Sequence, residues 1–60
     1  MEIIKKIISE ERCIDELTGQ VNPSLVKVNL VVDNDGQLNT YEKIFSVHIW
    51  EYFKEQGTIL

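Results

Sequence analysis

Four apolar residues at alternate positions, Val26, Val28, Leu30 and Val32, run directly into Asp33-Asn34-Asp35-Gly36, and this constrains the chain more than any other feature. A period of two marks a strand with one buried face. Asp, Asn and Gly are the residues that tolerate the left-handed backbone of a tight turn. Leu25 and Val31 keep the second face from being wholly polar, and a β-capable stretch, Asn39 to Phe45, follows at hairpin distance. A β-hairpin is therefore expected at the centre of the chain.

The second strand hands over to a helix at Ser46, whose hydroxyl can cap the free amides of a helix starting at Val47. Phe45 and Trp50 stand at the two positions of a hydrophobic staple, and Gly57 is placed to end the helix. Winding Val47 to Gln56 at a helical period collects Ile49, Trp50 and Phe53 on one arc, flanked by Tyr52 and Val47. His48, Glu51 and Glu55 fall opposite.

The first third reads two ways. Ile3, Ile4, Ile7 and Ile8 fit one side of a short helix, yet isoleucine at this density also favours a strand. A helix carried on to Leu17 would put Glu10 and Glu11 inside the stripe of Ile3, Ile7, Ile14 and Leu17, which argues for a break near Ser9 to Glu11. The expectation is a strand from Glu2 to Ser9, then a turn-rich excursion through Cys13 and Gly19. The rival is a helix from Glu2 to Thr18 stopped by Gly19. The fold class is accordingly α+β: a small antiparallel sheet built on the central hairpin, backed by a C-terminal helix.

Sixty residues without repeats or linkers make one domain, residues 1–60. A chain this short buries only about 60% of its unfolded surface, so its stability is marginal and points to a partner. Cys13 is the single cysteine, which excludes an internal disulfide, and the longest apolar run is Leu30 to Val32, far below a membrane span. Met1 to Ser9 lacks the apolar stretch of a signal peptide, and a cytoplasmic location is expected. A net charge of −4 and a pI near 4.7 disfavour direct contact with phosphate backbones.

Signals of chemistry are sparse. Cys13 and His48 are the one thiol and the one imidazole, with no surrounding pattern of a hydrolase. The plain reading is a buried or half-buried thiol and a solvent-facing histidine on the acidic side of the last helix. Two Cys or His residues in total cannot build a structural zinc site, and a calcium loop starting at Asp33 would have Leu38 and Ile44 where glycine and glutamate belong. No glycine-rich phosphate loop is present. No catalytic residue, metal or cofactor is expected.

Two features suit recognition of another protein. Glu10, Glu11, Asp15 and Glu16 carry four carboxylates in one short stretch, which Asp33, Asp35, Glu51 and Glu55 could join in space. Carboxylates so spaced can imitate a phosphate backbone and occupy the groove of a nucleic-acid enzyme. The second feature is aromatic: Tyr41, Phe45, Trp50, Tyr52 and Phe53 are more than one helix and one sheet hide easily, so Tyr41 and Tyr52 are candidates for the surface and Trp50 for an interface anchor. A hairpin edge with few protecting charges would also permit a homodimer.

Two resemblances attach to these residues. Arg12 to Gln20, the central hairpin, and Phe45 to Lys54 look like the layout of small treble-clef zinc domains, in which a cysteine knuckle precedes a hairpin and a cysteine pair opens the last helix. Cys13 keeps one ligand position, while Ser46 and Ile49 stand where the helix cysteines would be, so the resemblance implies the fold and not the zinc. Val28 to Gly36, Tyr41-Glu42-Lys43 and Ser46 to Phe53 are similar in order to short uracil-DNA glycosylase inhibitors of phages of Gram-positive bacteria. That resemblance needs a gap after Lys43 and leaves the N-terminal segment without a counterpart. It implies an acidic, dimeric inhibitor that blocks a DNA groove with carboxylates and an inserted aromatic, Trp50 or Phe53 by position.

The function expected from the sequence is a small acidic protein-protein interaction module, in its most specific form a phage or mobile-element inhibitor of a host nucleic-acid-handling enzyme. The alternative is a structural module acting as a homo-oligomer or subunit.

Overall fold

The computed structural model describes residues 1–59. Strands β1 (Glu2–Ile14), β2 (Val21–Asn34) and β3 (Gln37–Ser46) lead into helix α1 (Val47–Gln56) and a short strand β4 (Thr58–Ile59). They form one antiparallel sheet in the order β3-β2-β1-β4, with α1 on one face. The α+β class, the central hairpin, the N-terminal strand and the C-terminal helix are as the sequence led one to expect.

The central hairpin closes on two residues, Asp35 and Gly36, at φ 53° and 86°. Both values are left-handed, the geometry whose twist matches that of the flanking strands. The Gly36 N–H donates to Asp33 Oδ1 at 2.7 Å and fixes the turn from below. From there β3 pairs with β2 without a slip from Asn34↔Gln37 to Leu25↔Ser46.

β1 corrects the sequence reading. It does not end at Ser9 but continues to Ile14, and the excursion shrinks to a tight loop between Asp15 and Gln20. The reason lies in its pairing. The register against β2 steps from Ile4↔Val32 to Lys6↔Val31 and from Ile7↔Leu30 to Ser9↔Asn29, so Lys5 and Ile8 are extra residues at two bulges. Because paired residues share a face, these insertions turn Ile4, Ile7 and Glu10 to the helix side, opposite Val32, Leu30 and Val28. A three-residue spacing that resembles a helix is here a twice-bulged strand.

The core sits between that face and α1. Val28, Leu30, Val32, Trp50 and Ile59 are buried, with Ile4, Val26, Tyr41, Phe45 and Phe53 packed against them. Ser46 caps the helix as expected, its Oγ accepting from the Ile49 N–H at 3.3 Å, and Gly57 ends it at φ 74° with its N–H donating to the Phe53 carbonyl. Phe45 and Trp50 form the staple, their rings parallel within 1° at 5.7 Å. That stack sets the helix rotation so that Val47, Trp50, Phe53 and Lys54 face inward. Ile49, expected on the apolar arc, is turned to solvent. After the helix, the Gly57 carbonyl accepts from the Ile4 N–H at 2.9 Å, and β4 pairs with Glu2 and Ile3 on the far edge of the sheet.

The molecule is elongated, 42 × 19 × 14 Å, because β1 and β2 outrun β3. The β2–β3 ladder ends at Leu25↔Ser46, and beyond it only Cys13↔Asn22 and Ile14↔Val21 remain paired. Pro23, which has no amide to donate, lies in the slip between Arg12↔Val26 and Cys13↔Asn22. A two-stranded arm, residues 13–24, thus projects past the three-stranded body.

Candidate functional site

The densest polar contact joins the sheet to the helix. Glu10 reaches the helix side through the β1 bulges, and its Oε1 accepts from Trp50 Nε1 at 2.6 Å and from Lys54 Nζ at 3.2 Å. Lys54 also meets Glu51 at 3.2 Å and lies 5.8 Å from the centre of the Trp50 ring. The indole hydrogen bond, with lesser help from Lys54, holds the Glu10 carboxyl below its ordinary range, against the opposing effect of burial. Glu51 and then Glu10 raise the Lys54 ammonium above its ordinary value. The knot ties residues 40 apart and serves the fold.

The sequence candidates therefore divide. Trp50, expected as an interface anchor or an inserted aromatic, is buried at 1% exposure, and Phe53 is half-buried against Phe45. Glu10 is committed to Trp50 and Lys54. Tyr41 is half-buried, its hydroxyl donating to Glu2 Oε1 at 2.7 Å, so only Tyr52 of the two tyrosines is openly exposed. Glu11 remains on the surface with a long contact of 3.9 Å to Lys27.

The single acidic surface is also corrected. Asp33 pairs with Ile3, whereas Asp15 and Glu16 follow Ile14. At about 3.3 Å per residue the strand between them spans roughly 35 Å. Asp33 and Asp35 therefore stand at the opposite end of the sheet from Asp15 and Glu16. What does come together is Glu10, Glu11 and Glu51, around a groove floored by Leu25, Val26 and Trp50, with Arg12 among its lining.

The arm holds what the sequence reading passes over. Leu17 at its tip is 96% exposed, and Ile14 and Val21 in the last paired positions are 62% and 47% exposed. The loop is nevertheless built: the Gly19 N–H donates to the Asp15 carbonyl at 2.7 Å, the Asp15 N–H to the Gln20 carbonyl at 2.8 Å, and the Leu17 N–H to Asp15 Oδ1 at 2.8 Å. Gly19, at φ 72°, supplies the left-handed residue this closure requires. The signal in the sequence is Asp15-Glu16-Leu17-Thr18-Gly19, a leucine held between turn residues.

Cys13 is half-buried on the arm and His48 exposed in the first turn of α1. Among the described residues no group of three or more His, Cys, Asp or Glu is placed to hold a metal ion, and no helix is long and apolar enough to cross a membrane.

Burial and the nearby Glu2 carboxylate push the Tyr41 hydroxyl up to about 12 from its ordinary 10. A raised value means that the folded state favours the neutral phenol. The stabilisation is complete below pH 10 and is lost as the pH rises through about 12, because the unfolded chain ionises first. Urea midpoints should accordingly fall between pH 10 and about 12 in the wild type, and Tyr41→Phe should make that fall shallower, leaving the part that the raised Lys54 ammonium contributes as it loses its proton. An unchanged slope in the variant would assign the alkaline transition to other groups.

Comparison with family models, curated proteins and solved structures finds no match to this chain, and the two resemblances stand on the residues quoted for them alone.

Proposed function

We propose that this chain is a small protein-binding module that acts by contact, offering its acidic, apolar-tipped arm to a partner protein with an apolar pocket rimmed by cations. The observation that carries the reading is Leu17, a large apolar side chain 96% exposed on a hydrogen-bonded loop and flanked by Asp15 and Glu16. A leucine held out on such a tip adds nothing to the core and is suited to a pocket elsewhere. The neighbouring carboxylates steer that tip toward positive potential. Basic grooves belong to nucleic-acid-handling enzymes, so inhibition of such an enzyme, of phage or mobile-element origin, is the specific form of the proposal. Its surface charges are Glu11, Asp15, Glu16 and Glu51, with Glu10 withdrawn into the helix contact.

The test is capture by the tagged wild type, Leu17→Ala and the Asp15→Asn/Glu16→Gln double variant, each at low and high salt. The asparagine keeps the side-chain oxygen that the Leu17 amide needs, so the loop is preserved. A nucleic-acid enzyme held by the wild type should be released at high salt and lost with Leu17→Ala, and the double variant should bind it more weakly and with less salt dependence. All three proteins should have stabilities within about 0.5 kcal/mol of each other, as surface substitutions do. Identical captured sets from all three would overturn the reading.

A further inference from the structure

The two long edges of the sheet are unlike. Along β1 the free edge is broken by the bulges at Lys5 and Ile8, carries Lys5 and Lys6, and is closed at Glu2 and Ile3 by β4. These are the devices that stop a strand from pairing further. β3 has neither the bulges nor the covering strand. Its ten residues, without proline, glycine or bulge, keep one register with β2 from end to end, and Glu42 and Lys43 are its only charges.

The ladder also tells which groups point outward. A two-residue loop closes on a pair that exchanges both hydrogen bonds, and such pairs alternate along an antiparallel ladder. Counting from Asn34↔Gln37, the odd-numbered residues of β3 turn their amides and carbonyls to β2. Leu38, Thr40, Glu42 and Ile44 turn theirs to the open edge.

We propose that two copies of this chain pair antiparallel through β3 about a two-fold axis at Tyr41, setting Leu38 of each copy opposite Ile44 of the other. A two-fold axis perpendicular to the sheet keeps faces together, so a residue must meet one of its own parity. Centring on Tyr41 or on Glu42 engages nine residues of β3, and any other centre engages fewer. Centring on Glu42 opposes two carboxylates directly, which is repulsive. Centring on Tyr41 opposes no like charges. It sets Thr40 against Glu42, and joins Leu38 and Ile44, 63% and 59% exposed on the uncovered face, into two apolar cross-strand pairs. The four outward-facing residues of each copy then exchange eight backbone hydrogen bonds across the axis.

The arm begins beyond Ser46 and takes no part in this contact. The dimer is thus independent of the partner proposal, and carries its two arms away from the axis in opposite directions.

Sedimentation equilibrium across a hundredfold dilution tests the pairing. The wild type should show twice the 7.0 kDa chain mass at high concentration. Thr40→Pro removes an outward amide while sparing the β2 ladder, and should give a monomer with an unchanged circular dichroism spectrum. Ile44→Asp, a substitution on an exposed face, should do the same if the proline perturbs folding. Register is read separately in a Cys13→Ser background that keeps Glu42: Leu38→Cys with Ile44→Cys should cross-link between copies, and Thr40→Cys with Ile44→Cys, the pair that a Glu42 centre would oppose, should not. A wild type monomeric at every concentration would overturn the dimer, as would dimers that survive both edge variants. Cross-linking of Thr40→Cys with Ile44→Cys would overturn the register.

Discussion

Trp50→Ala is expected to leave the chain without a cooperative unfolding transition. Trp50 is the largest buried side chain, lies over Val28, Leu30 and Val32 as part of one core, stacks on Phe45 and donates its indole N–H to Glu10. Truncating a buried tryptophan costs about 3–5 kcal/mol. At roughly 0.05–0.15 kcal/mol per residue, a chain of this length has only about 3–9 kcal/mol in total. With five buried side chains in the core among the described residues, no second layer compensates for the loss. Far-ultraviolet circular dichroism with urea should show a sloping, non-cooperative trace. Trp50→Phe separates the two roles of the residue: it keeps an aromatic against Phe45 but removes the donor, and should fold with an intermediate midpoint. A cooperative Trp50→Ala transition within about 1 kcal/mol of wild type, well under the usual cost of such a truncation, would mean that α1 is held by other contacts.

The same residue shows where the sequence is legible and where it is not. The hairpin can be read because its causes are local: alternation in β2 and a two-residue turn whose residues tolerate positive φ. The helix ends can be read for the same reason, since Ser46, Gly57 and the Phe45–Trp50 staple each act within one turn. β1 cannot be read fully, because its face is set by where β2 allows an insertion. Bulges at Lys5 and Ile8 are tertiary events that leave only a misleading three-residue spacing in the sequence.

The candidate site is less legible still. Glu10 lies in an acidic run and Trp50 in an aromatic one, and each alone suggests a surface role. Only the fold shows that they satisfy each other across 40 residues. Asp33 and Asp35 look like partners of Asp15 and Glu16 because charge has no address in a sequence. A strand of this length separates them. Leu17 misleads in the opposite direction: its spacing from other apolar residues fits a helix stripe, and it stands alone at the tip.

Glu10→Ala is expected to be the most damaging substitution of any charged residue, and its pattern with pH gives the reason. Removing the carboxylate strands the indole N–H of a buried ring, a loss of about 1–3 kcal/mol. It also releases Lys54 from one of its two acceptors. Glu10→Gln keeps an oxygen for the indole and loses mainly the ion pair, which at the surface is worth about 0–1 kcal/mol. Because the folded state holds the Glu10 carboxyl below its ordinary 4.5, its contribution is complete above that pH and is lost as the pH falls through the lowered value. Urea midpoints at pH 7 and pH 3 should therefore differ more in the wild type than in Glu10→Gln, which has no proton to take up at that position. The glutamine variant should lie close to wild type in neutral solution and the alanine variant well below both. Equal losses from Gln and Ala would show that charge, not the hydrogen bond to Trp50, fastens the helix to the sheet.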